Sequence, residues 1–273
     1  MTLVVAVVAG LLIGLSLGAL GGGGSVLAVP VLVYALGQSA SQATTGSLVV
    51  VGATSLVGAV TARRAGNVLL GRGVAFGAAA IGGAAVGARL STLVPEPVLL
   101  AAFAGLLVLV AGVMTVRQVG ARRSAGTAGG RPRLDDPIVS FHPRFACQCP
   151  RALKVLVTAT AVGLLTGFLG VGGGFLVVPA LVLALGLPME FAAGTSLVVI
   201  TVTSTAALAV RAGTGTHPDW ALVALLTVAA VVGGYTGARL TARVDTSRLR
   251  TAFTLLLLLV AGYTAWQALH ALV

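Results

Sequence analysis

Two stretches decide the fold: G-G-G-G-S-V-L-A-V-P at 21–30 and G-V-G-G-G-F-L-V-V-P at 170–179. Each follows a long apolar run and opens a short one. Ser25 to Gly37 is too short, at about 20 Å of helix, to cross a hydrocarbon core of about 30 Å. Each glycine cluster therefore marks a helix broken inside or beside a membrane. Backbone without side chains is tolerated at that depth where it is buried in protein or lines a cavity.

Working outward, apolar runs lie at about 3–20, 25–37, 44–62, 73–90 and 97–116, and again at about 155–169, 174–187, 193–210, 220–238 and 251–273. At a shift of 149, residues 23–50 lie on 172–199 without a gap, and 15 of the 28 positions are identical. Gly14/Gly163, Gly18/Gly167, Gly21/Gly170, Pro30/Pro179, Gly37/Gly186 and Ser47/Ser196 fall in that register. Gly87-Ala88-Arg89-Leu90 matches Gly237-Ala238-Arg239-Leu240 one residue further on. The chain reads as a duplication: a first membrane repeat over 1–117, a basic cytoplasmic loop over 118–153, and a second membrane repeat over 154–273. The expected fold is an all-α polytopic membrane protein of two homologous repeats, each with four to five membrane segments and a Gly-broken short helix.

Composition agrees. Of 273 residues, 58% are apolar and 8% charged, against about 25% charged in an ordinary soluble domain. So few charges cannot clothe a water-facing surface, which excludes a soluble enzyme. A β-barrel would alternate apolar and polar residues over about ten positions per strand, and these runs are uniformly apolar. The first 20 residues lack the basic start and cleavage site of a secretory signal and read as a retained membrane segment.

The net charge of +11 points to orientation and not to nucleic acid. With five crossings per half, 15 of the 17 Lys and Arg fall on one side and the repeats are inverted. With four crossings, the repeats are parallel and the split is 12 against 5. The positive-inside rule selects the inverted form, with both termini outside.

Few residues can carry chemistry. Amides of Gly22, Gly23, Gly24, Gly172, Gly173 and Gly174, beside a following helix start that includes Ser25, can approach an anion closely. The alternative is helix packing through small residues. Thr44-Thr45-Gly46-Ser47 and Ala193-Gly194-Thr195-Ser196 begin the next apolar run of each half. Their hydroxyls either cap a helix or face the same cavity, which puts Thr45, Ser47, Thr195 and Ser196 in the candidate substrate site. Ser55 and Ser204, with Thr54 and Thr203 beside them, either bond back to their own helix or touch the solute. Arg89 and Arg239 occupy equivalent helix ends, to snorkel or to attract anions. Glu190 is the acid nearest the site. His142, His217 and His270 have no ligand spacing. No catalytic set, cofactor motif or metal cluster is read; Cys147-x-Cys149 leaves one rival, a non-transporting subunit whose loop docks a partner or metal.

The run G-F-L-G-V-G-G-G-F-L-V-V-P-A-L at 167–181 followed by A-A-G-T-S-L at 192–197 resembles the TauE/SafE sulfite exporter family, also called the toluene-sulfonate uptake permease group. The first half carries a weaker copy, with Gly22 where the second has Val171. The resemblance implies a multi-pass permease of the cell (inner) membrane that moves small sulfur-containing anions such as sulfite, sulfonates or sulfoacetate. Its partners would be that anion and the lipid bilayer.

Overall fold

The computed structural model describes residues 2–95, most of 98–112, then 149–169, 174–212, 218–241 and scattered positions between 251 and 263. Among them there are helices and no strands. In chain order they are α1 (Thr2–Leu20), α2 (Ser25–Pro30, continued by a π-helical turn over Val31–Ala35), α3 (Ala40–Arg64), α4 (Leu70–Leu90) and α5 (Ala101–Val110). The second half adds α6 (Cys149–Leu169), α7 (Gly174–Ala184), α8 (Met189–Arg211) and α9 (Trp220–Thr241). Stretches within α3, α4, α8 and α9 are long and apolar enough to cross a membrane, so the protein is a polytopic membrane protein.

Apolar side chains cover both sides of these helices. On α1, Ala6, Ile13 and Leu17 are fully buried, while Val4, Val8, Leu12 and Leu15 face outward. A helix apolar on every face suits lipid on one side and protein on the other. The inner sides meet in one large cluster that includes Phe76, Leu107, Leu181 and Ile200. Phe103 of α5 meets Phe175 of α7 edge to face, with ring centroids 6.2 Å apart.

Glycine sets how closely the helices approach. α1 packs mainly against α9, and α4 against α6. A Cβ at Gly14 would overlap the backbone of Ala230, and one at Gly18 that of Gly234; Gly233 and Gly237 return the contact against Leu11 and Leu15. On the other pair, Gly83 and Gly87 lie on Thr160 and Leu164, and Gly163 and Gly167 on Ala80 and Ala84. Small residues let membrane helices touch backbone to backbone, where dispersion replaces the missing hydrophobic drive. Both pairs run parallel, since contacts climb together along the two chains.

α3 and α8 run the other way. Thr44 at the start of α3 meets Arg211 at the end of α8; Gly52 faces Ser204, and Gly58 faces Leu197. α4 then runs parallel to α8, with Gly73 on Thr195 and Gly77 on Val202, and α3 parallel to α9, with Gly46 on Val223 and Gly234 on Thr54.

The turns need glycine at few points. Gly21 ends α1 with φ +70°, its amide donating to the Leu17 carbonyl at 2.9 Å. Gly37 and Gly186, matched in the sequence register, close the short helices of the two halves with φ +66° and +64°.

Candidate functional site

The chain leaves α1 at Leu20 and resumes helix at Ser25. Gly24 lies back against Ile13 and Leu17 of α1. Gly21 packs on the backbone of Ala193 in α8, and Gly22 on that of Gly174, the first residue of α7. All four glycines and Ser25 are buried. The Ser25 hydroxyl donates to the Gly22 carbonyl at 2.7 Å, and the Ser25 amide bonds the same oxygen at 3.2 Å. Among the backbone bonds between described residues outside the helices, none is donated by Gly22, Gly23 or Gly24. Three successive buried amides are thus left as donors, whereas buried backbone N–H groups are nearly always paired.

α8 supplies the adjoining hydroxyl. Ser196 is fully buried, and its Oγ reaches both the Gly21 carbonyl and its own Ala193 carbonyl. One residue earlier, Thr195 Oγ1 accepts the Leu69 amide at 3.1 Å. Leu69 precedes α4 and has no side-chain cap of its own, so Thr195 caps a neighbouring helix.

Thr45 and Ser47 stand elsewhere. Gly58, not Thr45, is the α3 residue level with Leu197, and Thr45 lies roughly 20 Å further along the helix axis at 1.5 Å per residue. Antiparallel packing of α3 and α8 therefore splits the four hydroxyls into two sets, and a single shell around one small ion cannot include them all. Nor do these hydroxyls start their helices. α3 begins four residues earlier, where Ser39 and Gln42 form a reciprocal capping box, and α8 begins at Met189 after Pro188. Both motifs fall in the second helical turn, because the apolar run begins later than the helix does.

At the α3 start the structure assembles a cluster that sequence reasoning missed. Arg211 is 2% exposed. Its Nη1 donates to Thr44 Oγ1 at 2.9 Å and to Thr45 Oγ1 at 3.5 Å, and its Nη2 donates to Ser91 Oγ beyond the end of α4. Gln38, 7% exposed, sits at the α2–α3 junction with its Oε1 near Gly46, and neither polar atom of its amide meets a partner among the described residues. Arg211 ends an apolar run, so in sequence it resembled any snorkelling residue. Gln38 stands where the second half has Leu187, and that polar-for-apolar exchange was the available signal.

Gly172, Gly173, Cys147 and most of the central loop lie outside the described residues, as do Glu96, His142, His217 and His270. Arg89 and Arg239 are exposed at the ends of α4 and α9, with the Arg239 guanidinium 4.5 Å from the centre of the Tyr235 ring. Among the described residues, no three His, Cys, Asp or Glu side chains gather as a metal site would require.

Apolar helices joined by glycine seams, with polar groups at a few interior points among the described residues, define the class: a multi-pass membrane protein. The model of the family Sulfite exporter TauE/SafE matches residues 6–264, and the chain belongs to that family. It is 31% identical to a probable membrane transporter protein of Xylella fastidiosa (strain 9a5c), over all of this chain and 98% of the relative. A probable membrane transporter protein of the Temecula1 strain is 30% identical over the same shares. The probable membrane transporter protein YdhB of Bacillus subtilis (strain 168) is 27% identical over 84% of this chain and 86% of its own length. No solved structure matches.

Proposed function

We propose that the protein is a cell-membrane permease for small sulfur-containing anions such as sulfite, sulfonates or sulfoacetate. The anion binds where the two glycine-rich breaks meet. Amides of Gly22, Gly23 and Gly24, and of Gly172, Gly173 and Gly174, are its main donors, with Ser25 and Ser196 nearest to them. Thr45 and Ser47, together with Thr195, serve the approaches at the two ends of the α3–α8 pair. The observation that carries this reading is the seating of Gly22 on Gly174 beside buried amides that donate to no described acceptor. Such amides favour negative charge without a formal cation.

The halves 1–117 and 154–273 are inverted repeats of five segments each, joined by the cytoplasmic loop 118–153. The antiparallel course of α3 and α8, equivalent helices in the sequence register, supports inversion; parallel repeats packed about the same seam would run them together. Rocking of one repeat against the other alternates access to the site. A negative-inside potential favours export by about 2.3 kcal/mol per charge per 100 mV.

The test is sulfite and methanesulfonate flux in proteoliposomes at an imposed voltage. Replacing Gly23 or Gly173 with Val should abolish flux while the protein still inserts and purifies as a monodisperse species. Unchanged flux in both variants sinks the site.

A further inference from the structure

α3 and α8 cross near their middles, and the crossing holds two hydroxyls that the site above does not use. Ser55 is fully buried and Ser204 is 1% exposed, and neither Oγ meets a hydrogen-bond partner among the described residues. Their neighbours behave differently. Thr54 donates back to the Val50 carbonyl at 2.7 Å, and Thr203 to the Val199 carbonyl at 3.0 Å. Ser47 and Ser196 likewise bond back to Thr44 and Ala193. Back-bonding is the ordinary resort of a helical Ser in apolar surroundings. Ser55 and Ser204 do not take it, and a buried hydroxyl with no partner calls for an explanation.

Their position supplies one. The Ser204 Cβ lies 3.3 Å from where a Cβ on Gly52 would stand. Ser55 is one turn from Gly52 on the same helix face, the face that also presents Gly58 to Leu197. Both hydroxyls therefore lie on the α3–α8 seam. They are equivalent at the shift of 149, one from each half. The seam is one of those that join the two halves, and it is the one lined by a matched pair of uncommitted hydroxyls.

We propose that Ser55 and Ser204 form a midway contact in the translocation path, their hydroxyls donating to the oxygens of a small oxyanion. The proposal rests on the anion-permease reading above. It explains why neither hydroxyl is committed to its own backbone: a donor held in reserve can pass from one solute oxygen to the next.

Two measurements test it. In proteoliposomes, Ser55→Ala and Ser204→Ala together should raise the sulfite KM about tenfold or more, the loss of one to two charge-assisted hydrogen bonds. The melting temperature in detergent should stay level or rise, since Ala removes an unsatisfied group. An unchanged KM overturns the proposal, and a lowered melting temperature with unchanged KM assigns the pair to a structural water bridge instead. In a Cys147→Ser, Cys149→Ser background, Ser55→Cys and Ser204→Cys should react in membranes with a sulfonate-bearing methanethiosulfonate, more slowly when sulfite is present. Val198→Cys, buried on the side of α8 that meets Gly73 of α4, should not react. Failure of both seam cysteines to react also overturns the proposal. Reaction at both in a protein that carries neither sulfite nor methanesulfonate sinks the anion reading and supports the path.

Discussion

The motifs Thr44-Thr45-Gly46-Ser47 and Ala193-Gly194-Thr195-Ser196 hold matching places in the two halves, yet they are put to different work. In the first, hydroxyls receive a buried guanidinium from the far end of α8. In the second, one hydroxyl receives the amide that precedes α4, and the other reaches the Gly21 carbonyl. Helix length accounts for part of the difference. α3 has 25 residues and α8 has 23; each ends on the Arg of an Arg-Ala-Gly triplet, but the two extra residues of α3 leave Arg64 exposed, while Arg211 is covered by neighbouring helices. Matching in a repeat thus fixes position along a helix, and the partner at that position depends on how far the neighbouring helix extends.

The strongest way to break the comparison is to exchange residues between the copies. Gly194 matches Thr45 in register, but a Cβ at 194 would overlap the Asn67 carbonyl. Gly194→Thr should destabilise by about 3 kcal/mol, the upper range for overpacking against backbone, and should lower recovery of folded protein in detergent. The converse exchange at Gly46 meets a movable Val223 methyl, so Gly46→Thr should cost clearly less in the same melting assay. Equal losses at the two sites would refute the asymmetry.

Next is the guanidinium. Arg211→Met removes donors to three hydroxyls and should cost about 2 kcal/mol, in the range for hydrogen bonds to a charged group. Arg64→Met, on an exposed side chain, should shift the melting temperature by no more than the scatter of surface substitutions. A smaller contrast is expected within the second copy. Thr195→Val leaves the Leu69 amide without its acceptor and should cost about 1–2 kcal/mol, and hydrogen exchange at Leu69 should quicken while exchange deep in α4 does not.

Much of this architecture was readable before the coordinates. The long apolar runs became helices because uninterrupted Val, Leu and Ala leave hydrocarbon-facing backbone no other way to pair its polar groups. Gly14, Gly18, Gly163 and Gly167 were legible as matched positions of the repeat, and the close helix contacts they make were not. The helix starts at Ala40 and Met189 were not: Ser39, Ser41 and Gln42 are polar, and an apolar-run reading begins only where polarity ends. The division of the hydroxyls was also hidden. It depends on the relative direction of α3 and α8, which one-dimensional register does not carry. Arg211 escaped notice because a charge at the end of a span reads as an interfacial anchor until a neighbouring helix is seen to cover it.

The weakest contrast lies at those helix starts. Ser39 accepts the Gln42 amide at 3.4 Å and its own amide donates to Gln42 Oε1 at 3.3 Å, so two otherwise open donors of α3 are satisfied by side chains. Pro188 holds the matching place before α8 with no side-chain bond, its ring fixing φ at −56°. One half secures its helix start by capping and the other by a restrained backbone. Ser39→Ala should therefore cost about 1 kcal/mol, the usual worth of an N-cap. Pro188→Ala loosens the unfolded chain instead and should cost about half as much. Thermal melts of the two variants, run beside the double variant, check this. The two ends lie at opposite ends of the antiparallel pair, so the effects should add; a double variant much weaker than the sum would mean that the starts of α3 and α8 are coupled.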